Sequence, residues 1–157
     1  MASGPVLPLR FGTQLEREDR LAAVLHERRA ELMRALDRVR GRVELGLRAF
    51  PSPDSRTDTG PGEGTGRDYL LARAAQHRRA DEAARYLHAP LAELATESRL
   101  REPPAPPAIL VAAYLVESDR AAEFCARADE LAGRHDDLQA VLTGPWPPYN
   151  FVAEEQQ

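Results

Sequence analysis

Leu21, Leu25, Leu32, Leu36 and Val39, with Arg28 in step and Val24 and Ala35 alongside, recur every three or four residues. That spacing gathers apolar side chains on one helix face, so it predicts an amphipathic helix over about 16–38. Thr13 and Glu16 have capping-box spacing at its start, and Gly41 ends it. The period then drops to two, as Val43, Leu45 and Leu47 alternate with Glu44, Gly46 and Arg48, the signature of a half-buried strand. Ahead of the helix, Val6 to Phe11 is a short β-type run that Pro8 demotes to an edge strand or a strand end. Beyond the second strand, residues 51–66, PSPDSRTDTGPGEGTG, contain no apolar residue larger than proline and read as a mobile loop.

Asp68 to about Ala95 reads as a long helix with Leu71, Ala75, Leu87, Leu91 and Leu94 inward, kinked or broken by Pro90 one turn before its end. Arg99 to Arg101 predicts a brief strand before the turn EPPAPPA, and the strongly apolar Ile109 to Val116, with Tyr114 inside it, predicts a central strand. Ser118 or Asp119 is placed to cap a helix running to about Ala132, with Phe124, Ala128 and Leu131 facing the core and Gly133 just past its end. Gln139 to Leu142 is the last strand. The predicted order is β-α-β, long helix, β-β-α-β: an α+β fold with helices packed on a small, mainly antiparallel, ferredoxin-like sheet. The length of 157 residues suits one domain, with the loop at 51–66 and a short tail at 152–157.

The last strand delivers the chain into TGPWPPYNF, residues 143–151, where the only tryptophan stands among three prolines and a glycine. Each proline fixes its own φ, removes a backbone donor and biases the residue before it toward extended backbone. The expected result is a stiff loop holding Trp146 and Tyr149 in set directions. Two readings stand for it: a clasp that folds Trp146 back onto the core, or a contact surface for a partner.

Composition alters this picture in three respects. All 21 basic residues are arginine, and Ala, Gly and Pro are abundant, as expected of a GC-rich genome. Residues 1–101 carry a balance of +3 and residues 102–157 a balance of −7, which argues against nucleic acid as the main partner, since phosphate neutralisation needs a concentrated basic surface. No apolar run approaches a membrane span, and the N-terminus lacks the apolar core of a signal peptide, which predicts an intracellular protein. The single Cys125 excludes an internal disulfide.

The chemistry sought is mostly missing. Gly60 to Arg67 sits between a strand and a helix, where a phosphate-binding loop would lie, but Arg67 and Asp68 stand where a Walker loop has Lys and Ser or Thr. A nucleotide- or phosphate-binding enzyme using Gly60 to Gly66 is therefore the alternative, not the leading reading. Histidines 26, 77, 88 and 135 are scattered and supply no zinc set. No cofactor or metal is expected, nor any catalytic residue.

Five ordered strings then matter more than spacing: VLPLRFGT at Val6 to Thr13, GRVELGLRAF at Gly41 to Phe50, DYLLAR at Asp68 to Arg73, AAYLVE at Ala112 to Glu117, and TGPWPPYNF. Together they resemble the gas vesicle protein F/L family over nearly the whole chain. The resemblance implies a non-enzymatic accessory protein of gas vesicle formation in an actinobacterial host, at the vesicle or in the cytoplasm. Its partners would be the hydrophobic shell subunit, kept from aggregating, and other accessory proteins. The expected contact surface is Arg10, Phe11, Arg42, Glu44, Tyr114, Trp146, Pro147, Pro148 and Tyr149, each of which has a competing role in the core or in a cross-strand pair. Only MASGP precedes the first string, whereas family members carry a further N-terminal domain; a strand that pairs with that domain would be left as an exposed edge open to homodimerisation. A scaffold domain that kept the fold and lost the vesicle role is a third reading.

Overall fold

The computed structural model describes residues 5–8, 18–53, 66–103 and 107–152. Two helices come first, α1 (Glu18–Glu27) and α2 (Arg29–Val39), followed by strand β1 (Arg42–Pro51). Helix α3 (Gly66–Ala83) passes through a π-helical turn (Ala84–His88) into α4 (Ala89–Leu94). Strands β2 (Glu97–Arg101) and β3 (Leu110–Glu117), helix α5 (Ala121–Ala132), strand β4 (Leu138–Trp146) and helix α6 (Tyr149–Val152) follow.

The sheet has the order β2-β3-β1-β4, and every pairing in it is antiparallel. From β1 onward the chain therefore runs β-α-β-β-α-β with β3 inserted between β1 and β2, the split arrangement of the ferredoxin-like fold. The expected α+β class is thus the observed one. The period-2 register explains how it is stabilised. Leu45, Leu47 and Ala49 oppose Tyr114, Ala112 and Leu110 on one face, and these pack with Leu87, Leu91, Phe124, Ala128 and Leu131 from the helices. The apolar run of β3 is buried on both faces, with Ala113 and Leu115 turned toward a second, smaller cluster around Phe151.

Several expectations shift. Residues 5–8 are not a strand, so the leading β-run of the sequence reading does not form there; Arg10 and Phe11 lie outside the described residues, as do 54–65, including Gly60 to Gly64. The predicted helix 16–38 is two helices meeting at Arg28, although hydrogen bonds from Arg28 to Val24 and from Leu32 to Arg28 carry the ladder across the junction. Near Pro90 the helix changes pitch without stopping: Pro90 has no N–H and would press on the carbonyl four residues back, and the π-helical turn lies immediately before it. Leu71, expected in the core, is 57% exposed; among the described side chains of α3, the one in the buried core is Ala83, at its C-terminal end. Ser118 does not cap α5. Its hydroxyl and its N–H both donate to the Gly41 carbonyl instead, at 2.7 and 2.8 Å, and tie the end of β3 to the turn before β1.

Candidate partner-binding surface

The stiff segment at residues 143–151 is partly strand. β4 runs through Trp146 as an edge strand, opposite β1, with a register shift between Glu44 and Gly46 where Thr143 faces Gly46 and Trp146 faces Glu44. The extra β4 residue is accommodated by Gly144, whose φ of 116° lies in the region that favours glycine. A Cβ there would stand 2.7 Å from the Glu44 carbonyl oxygen, so no other residue fits without backbone movement. The Gly144–Pro145 peptide is cis.

Past Trp146 the chain forms a clasp, but not the one the tryptophan suggested. Pro148 is buried, and Phe151, at 1% exposed, packs on Ala113 and Leu115 beneath the sheet. The Arg99 guanidinium lies 5.4 Å from the Phe151 ring centroid, a cation–π position. Glu44 is the one buried charged side chain among the described residues, at 5% exposed. Its Oε2 accepts the Asn150 backbone N–H at 2.8 Å, and its Oε1 accepts the Asn150 side-chain amide. A buried carboxylate with two donors is satisfied; without them it would be costly. The Tyr149 N–H donates to the Pro147 carbonyl at 2.7 Å, so the chain turns tightly between the two exposed rings.

Trp146 and Tyr149 face outward, at 54% and 55% exposed. The reading in which Trp146 folds onto the core is therefore corrected: Phe151 and Pro148 fill that role, and the proline-fixed backbone leaves the two larger rings and Pro147 on the surface. The other candidate residues divide differently. Tyr114 is fully buried; it shares a 3.0 Å hydrogen bond with His88 Nδ1 and lies 4.9 Å, ring to ring, from Phe124. Burial pushes its hydroxyl well above the ordinary tyrosine range and His88 below the ordinary histidine range. Arg42 donates through Nε to Glu117 Oε1 at 2.8 Å and through its fork to the Arg38 carbonyl. Arg38 in turn donates Nε to Glu97 Oε1 at 2.6 Å, and that guanidinium holds the Glu97 carboxyl below the usual range, with Arg99 and Arg42 adding to the effect. Arg42, Glu44 and Tyr114 thus make contacts within the fold, while Trp146, Pro147 and Tyr149 are exposed.

Sequence reasoning missed Asn150 and Phe151. The signal was available in the spacing, since Pro148 and Phe151 are separated by one helical turn. A separate cleft of about 350 Å³ is lined by Arg79, Glu82, Arg85, Tyr86, His135, Asp137 and Leu138. It lies at the opposite end of β4, a full strand length from Trp146, and is not part of this surface. Among the described residues no group of three or more His, Cys, Asp or Glu could hold a metal ion, and no helix is long and apolar enough to cross a membrane.

Fold and site together define a ferredoxin-like α+β domain whose edge strand ends in an exposed aromatic rim, pinned from below by a buried carboxylate and a phenylalanine. The model of the gas vesicle synthesis protein GvpL/GvpF family matches residues 1–153, and the chain belongs to that family. It is 33% identical over 154 residues to gas vesicle protein F2 of Halobacterium salinarum, covering 96% of this chain and 60% of that protein. To gas vesicle protein L of a Streptomyces species it is 32% identical over 171 residues, covering 95% and 64%. The crystal structure of GvpF from an Anabaena species superposes with a TM-score of 0.79 at 19% identity, over 96% of this chain and 67% of that one. The chain spans a little under two thirds of the length of these two curated relatives.

Proposed function

We propose that this protein is a non-enzymatic accessory factor of gas vesicle assembly, and that the Trp146, Pro147 and Tyr149 surface binds the hydrophobic shell subunit or another accessory protein. The observation that carries the reading is an exposed pair of large aromatic rings on backbone fixed by three prolines and by the Glu44–Asn150 and Phe151 anchors. Aromatic side chains presented on rigid backbone are what protein interfaces use as anchors, because they bury much area for little lost conformational freedom. Family membership supplies the context: relatives in this family are named as gas vesicle proteins. Binding an apolar shell subunit before it joins the wall would cover surface that otherwise aggregates.

The test is a solubility assay. A gas vesicle shell subunit is diluted from denaturant with and without this protein, and light scattering is followed. The proposal expects a stoichiometric suppression of scattering. Scattering that rises identically in the presence of excess folded protein would count against the shell subunit as the partner.

A further inference from the structure

β4 is a sheet edge that carries no charge at all. Its nine residues read LQAVLTGPW, in a chain of which 29% is charged. Proteins usually protect such edges with charged side chains, prolines or short strands. The opposite edge follows that rule: β2 is five residues long, ESRLR, and three of them are charged. On β4 the only such protection is Pro145, close to its end. From Gln139 to Gly144 the backbone groups that point away from β1 have no hydrogen-bond partner among the described residues.

We propose that two copies of this chain pair antiparallel along β4, about a two-fold axis through Val141, joining their sheets into one. The register follows from geometry. Opposed side chains in an antiparallel pair share a face, so the axis must pass through a residue and not between two. An axis at Val141 uses the whole stretch from Leu138 to Gly144 and ends where Pro145 has no N–H to give. It sets Val141 against Val141 of the second copy, Gln139 against Thr143, and Ala140 against Leu142. No ionised side chain opposes another. The same operation on β2 would set Arg99 against Arg99, which like-charge repulsion disfavours. Val141 is 39% exposed in the single chain, so a second copy has apolar surface to cover there.

This pairing is independent of any vesicle partner, and its test uses the purified chain alone. Sedimentation velocity across a concentration series should show a monomer–dimer equilibrium. Val141→Lys should weaken the dimer about tenfold or more, since it opposes two ammonium groups at the axis. Mixing Val141→Lys with Val141→Glu should restore a heterodimer, which separates a broken interface from a misfolded chain. With Cys125→Ser as background, Val141→Cys should cross-link on oxidation, because directly opposed Cα atoms are about 4.5–5.5 Å apart and within disulfide reach. A monomer at every concentration, or a dimer that Val141→Lys leaves intact, would overturn the proposal.

Discussion

Replacing Phe151 and replacing Trp146 by alanine should have opposite weights on stability, against the expectation that the larger ring matters more. Phe151 is 1% exposed and packs on Ala113 and Leu115, whereas Trp146 is 54% exposed. Burying a phenylalanine fully contributes about 1.5–3 kcal/mol by transfer alone. Truncation also leaves a cavity, so Phe151→Ala should cost about 3–5 kcal/mol. For Trp146→Ala the half-exposed ring leaves little cavity behind, and the cost should stay within about 1 kcal/mol. Against a total stability of about 5–15 kcal/mol, the first change is large and the second is not. Urea unfolding followed by far-ultraviolet circular dichroism measures both, with the midpoint read at constant slope. Trp146 offers an internal check: as the only tryptophan, it should emit as a half-hydrated indole in the native protein and shift little on unfolding. Equal destabilisation by the two substitutions, or a strongly blue-shifted native emission, would refute the assignment of Phe151 as the clasp.

Glu44→Gln should destabilise by about 1–3 kcal/mol, since the amide can accept only one of the two Asn150 donors and sets its own NH2 against the other; denaturant titration reads this, and an unchanged midpoint would mean the carboxylate is not the pin. Gly144→Ala should cost about 1–3 kcal/mol, because φ is 116° and the Glu44 carbonyl stands 2.7 Å from where the methyl would go; a neutral effect would place the bulge elsewhere. Glu97 has its folded carboxyl held down by Arg38, so its contribution is full above the ordinary carboxylate pKa and is lost as pH falls through the lower folded value. The stability gap between wild type and Arg38→Gln should therefore be constant near neutrality and close under acid, and a gap independent of pH would exclude this ion pair as its source.

Much of the architecture is legible in the sequence because the two periods are clean. The alternation at Val43, Leu45 and Leu47, the apolar run at 109–116, and the Phe124, Ala128, Leu131 spacing each encode which face is buried, and β1, β3 and α5 form accordingly. The split β-α-β topology is readable from element order once the leading run near Val6 is set aside. The features that the pattern does not reveal lie in competition between local and tertiary partners. Ser118 has the chemistry of a helix cap, yet the Gly41 carbonyl, 77 residues away in sequence, takes its hydroxyl. Leu71 has core spacing, but it is exposed while Ala83, further along α3, is buried in the core, and helical period alone does not say how far along a helix its partner extends. At the candidate surface, the proline and aromatic content of TGPWPPYNF marks the right segment, while ring size points to the wrong anchor. Size favours tryptophan as the buried group, but the decisive constraint is the turn at Pro147 to Tyr149, which directs Phe151 inward and leaves Trp146 beside the sheet edge.

The central claim, that this rim is where a partner binds, is tested most directly by the Trp146→Ala, Tyr149→Ala double variant in a quantitative capture assay with a gas vesicle shell subunit, its folding checked by circular dichroism. Two exposed aromatic anchors at about 2 kcal/mol each, about 4 kcal/mol together, predict a loss of affinity on the order of several hundredfold. Capture with unchanged affinity by the folded double variant would contradict it.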